Sequence, residues 1–375
     1  MTESNGPRYT ALVQGLPATV PFVGPEAQER ARGAAFSARL GANESRVGPS
    51  PKAVAAMAAA AQDVWMYGDP EAYELREALA AHHGVTREHI LVGEGIDGLM
   101  GYLVRLMIGV GDAVVTSEGG YPTFNFHVAG FGGVLHKVPY KGDHEDPEAL
   151  IAKAVEVDAK LIYIANPDNP MGSWHEAGVI EKMIAAVPAG ALLILDEAYI
   201  DLAPKGVAAK VDADDPRVIR MRTFSKGYGM AGLRVGYVVA APALISAFDK
   251  VRNHFCMGRI AQAGALAALK DQDWLAHVRH EVAASRRRIA EIAAENGLSA
   301  LPSATNFVAI DCGGEGSLAR AVLQGLAKRG VFVRMPFVAP HDRCIRVSCG
   351  TPSDLEVFAA ALPEALAEAR AATKA

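Results

Sequence analysis

The sequence has little of what announces a stapled fold, a membrane protein or a nucleic-acid binder. Its four cysteines in 375 residues, Cys256, Cys312, Cys344 and Cys349, form no C-x-x-C pair and are too sparse for a disulfide scaffold. Packed thiols in a reducing compartment are therefore expected. Basic residues are not in excess: 37 Lys and Arg stand against 42 Asp and Glu, for a net charge of −5. That balance gives no electrostatic footprint for nucleic acid and favours a small-molecule substrate. No apolar run reaches membrane-spanning length, and the opening M-T-E-S-N-G-P has no basic stretch ahead of an apolar core. A cytoplasmic protein with no membrane partner is expected. What is present, 50% hydrophobic and 21% charged residues with 37 glycines, suits an α/β chain with one large and one smaller domain.

Residues 221–237, M-R-T-F-S-K-G-Y-G-M-A-G-L-R-V-G-Y, set one lysine, Lys226, between two strand-like runs at 217–222 and 235–240. A lysine is ordinarily a solvated surface residue. Here Thr223 and Ser225 flank it, a glycine-rich loop follows it, and Arg234 lies eight residues on. Hydroxyls and a guanidinium fork are phosphate ligands. The P-loop pattern G-x-x-x-x-G-K-[ST] is absent, because the serine precedes the lysine. The remaining reading is a Schiff-base lysine for a phosphorylated aldehyde, pyridoxal 5′-phosphate (PLP). That cofactor needs a carboxylate for its ring nitrogen. Upstream, A-L-L-I-L-D-E-A-Y-I ends an apolar run on Asp196, at the carboxyl end of a strand that reads as buried on both faces. Alone, the D-E pair would suit a metal-binding acid or a helix cap; beside Lys226 it suits a cofactor acid.

Residues 1–50 have little periodicity and read as an arm, closed by the turn-rich L-G-A-N-E-S-R-V-G-P-S-P. Helical spacing is expected at 51–64 and 71–83, with Trp65 and Tyr67 on the loop between. At His89 a short apolar strand leads into Gly93, Gly95 and Gly98, spelling G-x-G-x-x-G, with Glu118 twenty residues further on. This matches the dinucleotide fingerprint, so an NAD-dependent oxidoreductase is the rival class. The same turn serves a single phosphate at a helix N-terminus, and Lys226 with Asp196 favours that use. Phe124, in G-G-Y-P-T-F-N-F-H, offers either a core side chain or an aromatic face for a flat cofactor ring. The loop N-P-D-N-P-M-G after the strand at 161–165 aims Asn169, a donor for a phenolic oxygen. Further on, helices are expected at 259–269 and 274–294, strands at 304–310, 331–335 and 344–349, and a solvated face for Arg286, Arg287 and Arg288. Arg346, amid apolar residues of the last strand, is either an edge residue facing solvent or a bidentate clamp for an anionic substrate, the use favoured beside Lys226, and Arg334 in the strand before it is a second candidate.

Taken in order, L-G-A-N-E-S-R-V-G-P-S-P, the glycine turn at Gly93, Y-P-T-F, N-P-D-N-P-M-G, L-D-E-A-Y-I, R-T-F-S-K-G-Y-G-M-A-G-L-R-V-G-Y, P-S-A-T-N-F and I-R-V-S-C-G-T carry a resemblance. The chain resembles the fold-type I PLP enzymes, in the subgroup of the histidinol-phosphate aminotransferases, over nearly its whole length. The resemblance implies an α/β fold: a large domain (50–250) with a mostly parallel seven-stranded sheet between helices, a smaller α+β C-terminal domain (251–375), and an arm (1–49) packed with it. It also implies a homodimer in which Tyr67 reaches the partner's site. Lys226 would carry the Schiff base and act as acid and base, Asp196 would pair with the ring nitrogen, and Tyr199 and Asn169 would bond the phenolic oxygen. The phosphate would rest on the backbone of Gly95, Ile96 and Asp97 with Thr223, Ser225 and Arg234, and Phe124 would stack on the ring where the family usually has tyrosine. Arg346, with Arg334, would hold the substrate's carboxylate or phosphate. The implied activity is transfer of an amino group from an L-amino acid or amino alcohol phosphate to a 2-oxo acid such as 2-oxoglutarate, in amino-acid biosynthesis. An aminotransferase for another, for example aromatic, amino acid and a decarboxylase of the same fold share the scaffold. The chain departs from the family pattern at Arg46, where a proline and an aromatic are lost, at Ile96, Gly98 and Met171, and in the arm segment P-F-V-G-P-E at 21–26. Arg46 is thus an expected substrate contact.

Overall fold

The longest apolar runs become the interior strands of one sheet, since only strands covered on both faces hide every residue. The computed structural model describes residues 6–18 and 22–372; residues 1–5 of the opening segment and Pro21 of the arm motif lie outside the described residues. After a two-residue strand, β1 (Ala38–Arg39), the chain lays down β2 (Ile90–Gly93), β3 (Ala113–Ser117), β4 (Val134–Val138), β5 (Leu161–Ala165), β6 (Leu192–Asp196), β7 (Val218–Thr223) and β8 (Gly236–Val239). These seven form a sheet in the order β2-β8-β7-β6-β5-β3-β4. Only β8 runs antiparallel to its neighbours. Every residue of β5 and β6 is buried. Leu161, Tyr163, Leu192 and Ile194 face one core with Leu99 and Phe124, from the helices Gly95–Met107 and Pro122–Gly130. Ile162, Ile164, Leu193 and Leu195 face the other with Leu150 and Ile180, from Pro147–Glu156 and Ala177–Ala185. The alternation of side chains along a strand thus supplies two cores from one run.

The C-terminal third builds a smaller layer. β9 (Ser299–Ala300), β10 (Phe307–Asp311) and β12 (Cys344–Ser348) form an antiparallel sheet in the order β12-β10-β9, and β11 (Val331–Phe332) pairs in parallel with β1. The helices Gln272–Glu295, Gly316–Lys328 and Pro352–Ala372 close over it with Val282, Ile289, Val322, Phe358 and Leu362. The N-terminal segment is therefore stitched to the C-terminal layer before the chain enters the large sheet.

Four local expectations change. The arm contains a helix, Pro25–Arg32, in which only Pro25 is buried. With no apolar stripe, periodicity could not reveal it. The strand expected at 304–310 begins only at Phe307, because Arg286 Nη1 donates to the carbonyls of Ser303 (2.7 Å) and Thr305 (3.3 Å) and holds that segment as a turn. Arg286 is a clamp, not part of a solvated face. The strand expected at 331–335 stops at Phe332, and Arg334 instead bridges the backbone of Arg346.

Register sets the heights of the strand ends. Ala165 lies level with Asp196, and Asp196 with Met221. Beside Asp196, the carboxylate of Glu197, 2% exposed, accepts from Arg220 Nε (3.0 Å) and Nη2 (2.9 Å) and from Arg222 Nε (2.8 Å). Burial opposes its charge, yet Arg222 and Arg220 hold its pKa below the ordinary value. The pairing therefore stabilises the fold at neutral pH and is lost as pH falls through that lowered pKa. Replacing Glu197 with alanine leaves two largely buried guanidiniums unpaired and should cost about 3 kcal/mol or more in urea unfolding at pH 7. A loss within about 0.5 kcal/mol would show that water replaces the carboxylate.

Candidate active site

Loops leaving the carboxyl ends of β5, β6 and β7 surround a cavity of about 480 Å³, closed on its far side by the C-terminal layer and by residues 41–44. Ligands in open α/β sheets sit at such strand ends.

Asp196 ends β6 and is 5% exposed. Its Oδ2 accepts from the Tyr163 hydroxyl (2.7 Å) and its Oδ1 from the Ala198 N–H (2.9 Å). Burial pushes its pKa up to about 6, against the pull of these two hydrogen bonds. Lys226 follows β7; its Nζ donates to the Asn43 carbonyl (3.1 Å) and sits 5.6 Å from the centroid of the Tyr199 ring. Burial first, then the nearby Arg346, lowers the lysine pKa to about 8. The same desolvation moves acid and base toward neutrality from opposite sides. Tyr199 Oη accepts from Asn43 Nδ2 (3.1 Å) and Asn169 Nδ2 (3.5 Å), and burial raises its pKa to about 12.

One corner of the cavity is built for an anion. Gly95 opens the helix Gly95–Met107 at φ +82°, and a Cβ there would come within 2.5 Å of Arg234 Nη2. A Cβ on Gly236 would come within 2.7 Å of the Gly95 backbone. Glycine is needed at Gly95 by its left-handed backbone and at Gly236 by close approach to backbone. Thr223 Oγ1 lies 2.9 Å from Ser225 Oγ, and Arg234 Nη1 reaches Ser225 Oγ at 3.4 Å. Two hydroxyls, a guanidinium and a helix N-terminus on one corner fit a phosphate. Ile96 and Asp97 line the same corner, where the Asp97 carboxylate receives the Tyr121 hydroxyl (3.1 Å) and lies 3.8 Å from Arg234.

The opposite wall is cationic. Arg346, on β12, donates from Nη1 to Asn169 Oδ1 (2.5 Å) and lies over the Phe307 ring at 5.2 Å, while its buried Nε has no hydrogen-bond partner among the described residues. Arg334 donates to the Val23 carbonyl (2.8 Å) and lies 5.3 Å from the Phe22 ring. Among the described residues, neither arginine is paired with a carboxylate.

The fifteen expected site residues divide clearly by position. Lys226, Asp196, Tyr199, Asn169, Ile96, Asp97, Thr223, Ser225, Arg234, Arg334 and Arg346 line the one cavity, with Gly95 behind it. Phe124 does not: it is fully buried and stacks on Tyr163, centroids 4.9 Å apart and planes at 15°. The aromatic of this motif that lines the cavity is Tyr121, three residues earlier, where the chain enters the helix Pro122–Gly130. Arg46 is also elsewhere. Its Nε and Nη2 grip the two oxygens of Asp354 (3.0 and 3.2 Å), whose carboxylate is nearly buried, beside a separate cavity of about 290 Å³. A buried acid claims that charge, so Arg46 is a structural pair outside the cavity that holds Lys226. Tyr67 is 77% exposed, packs on Phe255 at 4.6 Å, and lines a separate groove of its own chain.

Sequence reasoning missed Tyr163, Tyr121, Phe22 and the role of Asn43. Only Tyr163 carried a usable signal, a hydroxyl inside the all-apolar strand L-I-Y-I-A, which needs a buried partner.

The model of the family described as aminotransferase class I and II matches residues 38–362, and the chain belongs to that family. It is a PLP-dependent aminotransferase by that membership, and the donor set of the cavity fits the cofactor. The glycine turn at Gly93 therefore serves an aminotransferase and not a nicotinamide enzyme. Within the family the chain is similar to histidinol-phosphate aminotransferases. It is 34% identical to that of Moorella thermoacetica over 366 residues, covering 96% of this chain and 94% of the relative. It is 36% identical to that of Anaeromyxobacter sp., covering 93% and 96%. The crystal structure of histidinol-phosphate aminotransferase from Sinorhizobium meliloti in complex with pyridoxal 5′-phosphate superposes with a TM-score of 0.94 at 52% identity, over 97% of this chain and 99% of that one.

The pKa of Asp196 makes a checkable statement about the cofactor-free protein. A carboxyl raised from 3.8 to about 6 binds its proton more tightly when folded, so stability falls as pH rises through that window. Asp196→Asn removes the charge and keeps an acceptor for Ala198. Its stability relative to wild type should rise by about 2 to 3 kcal/mol between pH 4 and pH 7, read from urea unfolding at each pH. A difference that does not change with pH would mean that the carboxylate is solvated.

Proposed function

We propose that the cavity binds PLP with Lys226 at its aldehyde carbon and transfers the amino group of a phosphorylated amino alcohol, histidinol phosphate, to a 2-oxo acid such as 2-oxoglutarate. The observation that carries the substrate class is the pair Arg346 and Arg334, facing the same cavity as Lys226 without a carboxylate partner among the described residues. An anionic group on the substrate supplies what they lack. The 52% identity to the Sinorhizobium meliloti enzyme supports the same reading. Arg46, the departure that set this chain apart from the family pattern, is held away from the cavity by Asp354 and does not argue against it.

In this proposal Asp196 meets the ring nitrogen, Tyr199 and Asn169 the phenolic oxygen, and Tyr121 takes the place over the ring that the sequence had suggested for Phe124. The phosphate rests on Thr223, Ser225, Arg234 and the backbone of Gly95 to Asp97. The bound cofactor supplies an electron sink for negative charge developing at the substrate Cα. The protein does the rest. Asp196, a buried acid, keeps a proton within reach of the ring nitrogen. Lys226 Nζ, with its pKa lowered to about 8, is partly neutral near neutral pH and so can both accept and return a proton at Cα. Arg346 orients the anionic group while its contact to Asn169 ties that wall to the loop after β5. Phe22, Tyr121 and Phe337 make the remaining wall aromatic, suited to a flat imidazole or to an aromatic side chain.

We also infer a homodimer in which Tyr67 completes the partner's site. Val64, Trp65, Tyr67 and Phe255 are 55% exposed or more and form an apolar patch of the kind an interface covers. The division into arm (1–49), large domain (50–250) and small domain (251–375) belongs to the same proposal, as does a place in the cytoplasm, in keeping with four free cysteines of which three are buried.

Two measurements test this reading. Histidinol phosphate added to the PLP-loaded protein should shift its visible absorbance band within the mixing time, and a 2-oxo acid should restore it. A shift with phenylalanine or tyrosine but none with histidinol phosphate would transfer the activity to aromatic amino acids, and carbon dioxide release without a 2-oxo acid would make it a decarboxylase. For the dimer, mixed Lys226→Ala and Tyr67→Ala chains, each inactive alone, should regain activity, because every hybrid has one site with both native residues. Hybrids as inactive as their parents would place Tyr67 outside the site.

A further inference from the structure

Asn43 has no counterpart among the residues that meet a cofactor or a substrate in the reading above, yet it lines the cavity and its backbone and side-chain amide are bonded to both layers of the protein. It is 3% exposed and sits at φ +54°, in the left-handed region. Five hydrogen bonds converge on it. On the C-terminal side, its N–H donates to Ser348 Oγ (2.9 Å), the Ser348 hydroxyl donates back to Asn43 Oδ1 (2.9 Å), and Asn306 Nδ2 donates to the Asn43 carbonyl (2.9 Å). On the large-sheet side, Asn43 Nδ2 donates to Tyr199 Oη (3.1 Å), and Lys226 Nζ donates to the same Asn43 carbonyl (3.1 Å). Ser348 ends β12 and Asn306 immediately precedes β10, so both anchors belong to the C-terminal sheet. The next residues back toward β1 are tied there too, through Leu40 N–H to the Phe332 carbonyl (2.7 Å) and Ser348 N–H to the Leu40 carbonyl (2.8 Å).

The pattern has a direction. The Ser348 hydroxyl lies against Oδ1, which fixes the amide so that its N–H₂ faces Tyr199. The carbonyl of a residue so held is a rigid acceptor for the lysine amine. We propose that Asn43 is a positioning residue, in which the C-terminal sheet, through Ser348 and Asn306, sets where the amine of Lys226 and the hydroxyl of Tyr199 stand in the cavity. This rests on the PLP reading of the site, and it makes the fit between the two layers of the protein a determinant of the chemistry. The amide bond to Tyr199 also acts on acidity. A phenol oxygen that accepts a hydrogen bond releases its own proton more readily, and Asn43 opposes the upward push of burial on Tyr199. Tyr199 is thereby a stronger donor to a phenolic oxygen beside it.

Asn43→Gly separates these contributions, since glycine accepts the left-handed backbone and keeps the carbonyl for Lys226 and Asn306 while removing the amide. With PLP bound, Tyr199 becomes the weaker donor and the cofactor's phenolic oxygen the stronger base. The midpoint of the pH titration of the visible absorbance band should therefore rise by about half a pH unit, the size of one neutral hydrogen bond. Turnover should fall in kcat, with KM for the amino donor within about twofold of wild type. Ser348→Ala, which frees the amide to rotate, should move the midpoint in the same direction, and Ser348→Thr, which keeps the hydroxyl, should restore it. These serine variants carry the test if Asn43→Gly does not fold. A wild-type midpoint and kcat in Asn43→Gly, or in Ser348→Ala where only that variant folds, would overturn the role of Asn43. A wild-type chain that develops no visible band with PLP would overturn the proposed function instead.

Discussion

The site depends on the register of three parallel strands. Because Ala165, Asp196 and Met221 stand level across β5, β6 and β7, the loops that follow all open at the same height. Asn169, Tyr199 and Lys226 come from three different loops and still meet within one cavity. A slip of one residue in β6 would turn Asp196 to the opposite face, among Ile162 and Ile164, where no Tyr163 hydroxyl waits for it. The buried Glu197 between Arg220 and Arg222 ties the ends of β6 and β7 together at the same level.

Desolvation is the second constraint, and it acts on the whole cavity at once. It raises Asp196 and lowers Lys226, so that these two groups, far apart in water, are drawn toward the range in which protons can be exchanged, while it raises Tyr199 and keeps that hydroxyl protonated. The balance is held by specific partners. Tyr163 and Ala198 keep Asp196 from rising further, and Arg346 helps keep Lys226 low. Charges that would disturb this arrangement are neutralised elsewhere, as with Arg46 on Asp354.

Much of the site was legible because its residues sit in motifs whose spacing is set by local backbone. The lysine with its hydroxyls and glycines, and the acid at the end of an apolar run, are each confined to one strand-to-loop junction. What failed was the direction of side chains beyond a junction. In Y-P-T-F, Tyr121 precedes the helix and Phe124 is inside its first turn; Phe124 is turned into the core, and Tyr121 is left at the cavity. Nothing in the tetrapeptide says which way that helix is turned. Arg46 failed for a different reason: its partner, Asp354, lies 308 residues away.

By itself, the sequence determined the α/β class, the mostly parallel sheet, and the local junctions that carry Lys226, Asp196 and the hydroxyl-and-glycine corner beside Arg234, because burial pattern and glycine placement act over a few residues. The tertiary structure alone decided which aromatic faces the cavity, which arginines remain free of carboxylates, and how the C-terminal sheet reaches Lys226 through Asn43. Those are contacts between segments far apart in the chain, 305 residues in the case of Asn43 and Ser348. Their partners are chosen by packing geometry, which no local pattern of residue types records.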